Sequence, residues 1–221
     1  MKRTKNTISF LTEDLSFPPV EYANGDGLLA AGGDLSPERL IEAYRNGIFP
    51  WFNDDSLILW WSPDPRMVLF PNKLHISRSM RKVLRSGRFT FTMNTAFDRV
   101  IKQCANISRE RQPGTWITSE MQKAYLKLYD NGIAKSYETW LGEELVGGIY
   151  GLDMGHVFCG ESMYHTVSNA SKYAFIRMVQ DLNEKGYQLL DCQLHNPHLQ
   201  SLGAEVISRK RYLDILKKAA F

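Results

Sequence analysis

Cysteine is scarce in this 221-residue sequence, and the three present form no pattern. Cys104, Cys159 and Cys192 are odd in number and widely spaced, so neither a disulfide framework nor a Cys-x-x-Cys pair is available. A reducing compartment, the cytoplasm, is expected. Long apolar runs are missing as well. No stretch approaches the roughly 20 apolar residues a membrane helix needs. The first 17 residues carry early Lys and Arg with no apolar block behind them, which excludes a secretory signal. There is no Walker phosphate loop and no Gly-x-Ser-x-Gly elbow. The run Gly25-Asp26-Gly27-Leu28-Leu29-Ala30 nearly matches a dinucleotide fingerprint, but it follows a turn-like stretch rather than a strand. The five histidines never form His-Glu-x-x-His. His195 and His198 flank Pro197, which argues for a loop there, and no metal is expected.

One further absence is local. Residues 65–97 contain seven Lys or Arg and no Asp or Glu. Residues 1–64 carry five basic and ten acidic residues, and residues 98–221 carry fifteen against fourteen. The net charge of +3 therefore hides a strongly cationic middle, the kind of field that draws polyanions such as a phosphate backbone. The step near Asp64 is the best candidate for a domain boundary, giving residues 1–65 as a small N-terminal unit and 66–221 as a larger one.

What is present is an ordinary globular balance, 43% hydrophobic and 23% charged. Residues 18–35, rich in Gly, Pro and Asp, read as loop. Ser36 then caps a helix with Pro37 in its first turn and Gly47 at its end. Phe49 to Arg66 reads as short strands and turns. Residues 77–86 form an amphipathic helix that puts Arg78, Arg81, Lys82 and Arg85 on one face. Helices follow at about 95–105 and from Thr118 or Ser119 to Gly132. The apolar period then shortens to two over 134–141, 144–152 and 156–164, an antiparallel meander. A helix at about 169–185, a buried strand over Tyr187–Leu194, and a final strand and short helix complete an α+β order with an antiparallel or mixed sheet. That order resembles the GNAT-like acyltransferase fold. The nearest match to the CoA pyrophosphate loop of acetyltransferases, Gln200-Ser201-Leu202-Gly203-Ala204-Glu205, ends in an anion that repels phosphate and comes too late in the chain.

Seven blocks in order make the reading specific. They are Gly32-Gly33-Asp34-Leu35-Ser36-Pro37, Gly47-Ile48-Phe49-Pro50-Trp51-Phe52, Trp60-Trp61-Ser62-Pro63-Asp64-Pro65-Arg66, Leu74-His75-Ile76-Ser77-Arg78-Ser79-Met80, Gly114-Thr115-Trp116-Ile117-Thr118, Gly160-Glu161-Ser162-Met163 and Leu190-Asp191-Cys192-Gln193. Together the sequence resembles the leucyl/phenylalanyl-tRNA–protein transferases, from about Asn24 to Leu213. The resemblance implies a cytoplasmic, monomeric enzyme with a small N-terminal domain and a GNAT-like C-terminal domain. It would transfer Leu, Phe or, less well, Met from aminoacyl-tRNA to proteins beginning with Arg or Lys, marking them for degradation.

The implied chemistry needs no ATP, cofactor or metal, because an ester is exchanged for an amide. A terminal α-amine, with a pKa of roughly 7.7–8.0, is partly neutral near pH 7. The protein has to align amine and ester, handle a proton and exclude water. By resemblance, Asp191 would accept a hydrogen bond or proton from the incoming amine, whether as a base or as a positioning group. Gln193, two residues on and on the same strand face, would orient the reactants, and Glu161 would hold the acceptor's terminal group. Trp51 and Trp116 would stack the terminal adenine. Ile149, Phe158, Met163, Phe175 and Leu190 would line the pocket for the donated side chain. The Arg78, Arg81, Lys82 and Arg85 face would grip acceptor-stem phosphates. Two other readings of the residues are CoA-dependent N-acetylation and a non-catalytic tRNA-binding module.

Overall fold

The computed structural model describes residues 8–53, 56–107 and 115–218. Gly114 of the fifth block lies outside them.

A first sheet gathers β1 (Ser9–Leu11), β2 (Leu28–Gly32), β3 (Phe49–Pro50) and β4 (Leu59–Trp61) in the order β1-β2-β4-β3. Strand β2 lies inside the segment expected to be loop, residues 18–35. Its Leu-Leu-Ala-Ala core is short, and the flanking Gly and Asp masked it. Helix α1 (Pro37–Arg45) starts where expected: Ser36 Oγ accepts from the Arg39 N–H at 3.4 Å, and Pro37 occupies the first turn. Arg39 is wholly buried. It bonds Asp34 and the carbonyls of Thr12 and Asp14, which ties the segment after β1 to α1. Gly47 ends this unit with φ +71°. A Cβ there would come within 2.6 Å of Leu213 and 3.0 Å of the Tyr212 ring, so only glycine admits this approach to the chain's last helix.

The second sheet holds seven strands. In chain order, with the helices, these are β5 (Arg66–Leu69), α2 (Arg78–Arg85), β6 (Thr90–Met93), α3 (Phe97–Asn106), α4 (Ser119–Asp130), β7 (Ala134–Leu141), β8 (Glu144–Asp153), β9 (Val157–His165), α5 (Ala170–Glu184), β10 (Leu189–Gln193), α6 (Pro197–Ser201), β11 (Glu205–Ile207) and α7 (Arg209–Lys217). The spatial order is β11-β5-β10-β9-β8-β7-β6. Strands β6 to β9 are antiparallel neighbours, while β10 runs parallel to β9 and antiparallel to β5. The α+β class and mixed sheet are thus as expected. Strand β6 was not legible, because its alternation of Thr with Phe and Met leaves neither face buried. The turn carrying His195 and His198 contains the short α6, started by Asn196 accepting from two backbone N–H groups.

Helices α3 and α4 cover one face of the large sheet and α5 the other. The first sheet, α1, α3, α4 and α7 share one apolar core that includes Trp60, Tyr44, Phe97, Tyr125 and Tyr212. The opposite face buries Met67, Ile149, Phe158, Phe175 and Leu190 under α5. No helix among the described residues is long and apolar enough to cross a membrane.

Candidate active site

Where β10 leaves the sheet, its regular pairing breaks. The register against β5 shifts between Asp191 and Gln193, and Gln193 adopts φ +54°, a left-handed conformation uncommon for a side-chain-bearing residue. A regular strand would put Asp191 and Gln193 on one face by alternation. Here a bulge brings them together instead, and the Gln193 N–H donates to Asp191 Oδ1 at 3.0 Å. Beside this bulge lies a cavity of about 430 Å³. Asp191, Gln193, Glu161, Trp51 and Trp116 all line it, as do Ile149, Met163, Phe175 and Leu190. Of the expected pocket residues, Phe158 does not. It is buried beneath the cavity, its ring 5.7 Å from that of Tyr137 and folded over Gly151, where a Cβ would meet it at 2.6 Å. Its position on β9 turns it into the core under α5, while the cavity opens farther along that strand, at Gly160 to Met163.

Asp191 is fully buried and its carboxylate is saturated. Arg66 donates twice, Nε to Oδ1 at 2.8 Å and Nη2 to Oδ2 at 2.7 Å. The Tyr212 hydroxyl adds a bond to Oδ2 at 3.0 Å, and Gln193 N completes the set on Oδ1. A carboxylate offers about four lone-pair sites, and all are occupied. Arg66 is itself sealed in: its guanidinium lies 4.8 Å from the ring centres of both Phe49 and Tyr212 and donates to the Gly47 carbonyl at 3.2 Å. Burial works against its charge, but Asp191 outweighs that and holds Arg66 above the ordinary arginine range.

Glu161, on β9, has a different environment. Tyr44 donates to Oε1 at 2.7 Å, Tyr125 donates to Oε2 at 3.1 Å, and Gln193 Nε2 donates to Oε1 at 3.1 Å. The two tyrosine oxygens are 2.5 Å apart. Burial pushes the Glu161 carboxyl up to about 7, against the opposing pull of the two tyrosine hydrogen bonds. Proton accounting points the same way. Tyr44, Tyr125 and Glu161 make three oxygen–oxygen contacts in a ring, and two hydroxyls carry only two protons. A third, on Glu161, lets every contact hold a hydrogen. Burial also pushes both tyrosines well above their ordinary range, so they stay protonated.

Cys192 lines the same cavity, but burial pushes its thiol far above the range of a reactive cysteine, so Cys192 is no ready nucleophile there. Trp51 is 39% exposed, although its backbone N–H is bonded to the Leu59 carbonyl and its own carbonyl accepts from Trp61 Nε1 at 2.7 Å. An indole held by its backbone and partly exposed is suited to stacking a flat ligand.

The expected basic face is real but narrower than the charge count implies. Arg78, Arg81, Lys82 and Arg85 are all exposed on α2, outside the cavity lining. Two other cations of the acid-free segment are matched by distant acids: Arg66 by Asp191, and Lys73 by Glu205 at 2.7 Å. Sequence reading left Arg66, Tyr212, Tyr44 and Tyr125 without a functional part. Tyr44 and Tyr125 lay within apolar helical stripes. The available signal was that a tyrosine in such a stripe buries a hydroxyl that needs a partner.

Among solved structures, a GCN5-related N-acetyltransferase from Kribbella flavida aligns over 73% of this chain and 57% of its own, at 10% identity and a TM-score of 0.39. Sequence similarity is far stronger. The leucyl/phenylalanyl-tRNA protein transferase family matches residues 68–217, and the N-terminal domain of that family matches residues 33–64. A leucyl/phenylalanyl-tRNA–protein transferase of Flavobacterium johnsoniae is 57% identical over 208 residues, 94% of this chain and 98% of its own length. One from Pseudomonas fluorescens is 55% identical over 206 residues, 92% and 91% of the two chains. With both segments matched and identity above half over nearly the full length, the chain belongs to the leucyl/phenylalanyl-tRNA–protein transferase family.

Proposed function

We propose that this protein acts as a cytoplasmic monomer that moves Leu, Phe or Met from aminoacyl-tRNA onto the α-amine of proteins beginning with Arg or Lys. In this reading residues 1–65 form a small domain that brings Trp51 to the cavity and Tyr44 to Glu161, and residues 66–221 form the acyltransferase unit. The observation that carries the reading is one cavity with three kinds of wall. It has two indoles for the terminal adenine, Trp51 and Trp116, and an apolar side of Ile149, Met163, Phe175 and Leu190 for the donated side chain. Its polar end is Gln193, Glu161 and Asp191. Charged donor side chains are rejected because that wall cannot solvate them.

The two carboxylates then divide the work. Asp191, with every acceptor site filled, positions: it fixes the bulge and so the Gln193 side chain. Glu161 handles the proton. As a carboxylate it leaves its ring of hydroxyls one proton short. Accepting one from the α-ammonium completes the ring and frees the amine's lone pair to attack the ester carbonyl. The new C–N bond forms, the bond to the ribose oxygen breaks, and that oxygen leaves with a proton. The resemblance leaves open whether Asp191 is a base or a positioning group; in this reading it positions, and Glu161 takes the proton. The four exposed cations of α2 hold acceptor-stem phosphates, which fixes position without reading sequence.

The test is an assay of purified protein with Leu-tRNA and a peptide beginning with Arg, without CoA or ATP. A Leu-Arg peptide supports the reading. Tight tRNA binding with no product would leave only a tRNA-binding module.

A further inference from the structure

A second cavity, of about 440 Å³, lies next to the first. The two share Met163, and the short helix α6 stands between them, giving Leu199 to one and His198 to the other. Its polar lining includes Ser168, Asn169, Lys172, His165 and His198, and no carboxylate is among the described residues that line it. Burial, and then Lys172 and His165 nearby, hold His198 below the ordinary histidine range. Ser171 Oγ contacts His165 Nδ1 at 3.2 Å and steadies that ring.

The segment that lines the second cavity also packs with the basic helix. Helix α2 packs through Met80 on Ala170, Tyr173 and Ile176 of α5, with Val167 of the β9–α5 connection in the same cluster. The connection and first turn of α5 therefore belong both to the packing against α2 and to the lining of the second cavity.

We infer that this second cavity binds the phosphodiester joining the terminal adenosine of the donor to the preceding nucleotide, with Lys172 as charge partner and Ser168, Asn169 and His198 as hydrogen-bond donors. The inference rests on the proposed function, since it assumes an aminoacyl-adenosine end in the first cavity. Single-stranded nucleic-acid sites combine stacked bases with a cationic track along the backbone, and the indoles, this cavity and α2 supply those parts. A single internal phosphate matters because backbone contacts set the register of the whole strand.

The test compares two minimal donors, phenylalanyl-adenosine and the phenylalanyl ester of cytidylyl-(3′→5′)-adenosine, with the full-length protein and an Arg-starting peptide. Wild type should favour the phosphate-bearing donor in kcat/KM. In Lys172→Ala/His198→Ala that preference should fall about tenfold, a difference carried by differential transition-state binding. A wild-type arm needs no mutation: a donor with a neutral methylphosphonate linkage should lose about as much as the variant does, and combining the two should cost little more. A preference that stays within about twofold in the variant, or a methylphosphonate donor as good as the phosphate, overturns the phosphate site. If wild type transfers from neither minimal donor nor from Phe-tRNA, the aminoacyl-transfer reading itself fails, and the two failures are told apart.

Discussion

Arg66 and Asp191, 125 positions apart in sequence, meet through two parallel hydrogen bonds of 2.8 and 2.7 Å with neither side chain reaching solvent. Such a pair costs a great deal to half-remove. Arg66→Met should destabilise the protein by about 3–5 kcal/mol, because it strands an uncompensated buried charge. Urea melts read the loss. A change below about 1 kcal/mol would mean that Asp191 is not held by this pair.

Asp191→Asn preserves shape while weakening the pair. Transfer rates should drop, yet the rising limb of kcat/KM against pH should stay near its wild-type position, since Glu161 sets it in the proposed mechanism. If the limb disappears with Asp191→Asn and persists in Glu161→Gln, the roles of the two carboxylates are reversed.

Glu161 supplies a stability signature as well. Its carboxyl rises from 4.5 to about 7 in the folded state. The native protein therefore keeps a proton that the unfolded chain has lost. The stabilisation is fully present below about pH 4.5 and is lost as pH climbs through about 7. Glu161→Gln removes the titration. Relative to wild type, it should be more favourable to stability at pH 8 than at pH 5, as read by melting curves at both values.

Tyr44→Phe or Tyr125→Phe deletes a hydrogen bond that favours the carboxylate form of Glu161. Each also opens the three-oxygen ring, so the rising limb should move from its wild-type position. A limb unmoved by either change would contradict the assignment of that limb to Glu161.

For the basic helix, Arg81→Ala with Arg85→Ala should weaken tRNA binding and flatten log K against log salt by about 1–2 units if each cation neutralises one phosphate. An unchanged slope places the acceptor stem on another surface.

Much of the secondary structure was legible because period and punctuation agreed. Thr118 caps α4 and Ser77 caps α2, and β7, β8 and β9 lie where a period of two placed the meander. What failed were elements without a buried face or with their apolar centre framed by Gly and Asp, such as β6 and β2. In the site, Asp191, Gln193 and Glu161 could be singled out, but not their partners. Arg66 lies 125 residues from Asp191 and Tyr44 117 from Glu161, and no local pattern encodes such distances. The Gln193 bulge was illegible for the opposite reason. Strand alternation gives the right neighbourhood by a geometry the chain does not use.

The position of β10 has a consequence for how the molecule comes to life. This strand is synthesised late yet slots between β5 and β9, near the middle of the large sheet. Chains emerge from the ribosome amino end first. Until β10 and the Tyr212 helix arrive, the facing edges of β5 and β9 stay open and Arg66 has no counter-charge, so a nascent chain has no finished place to receive a charged tRNA.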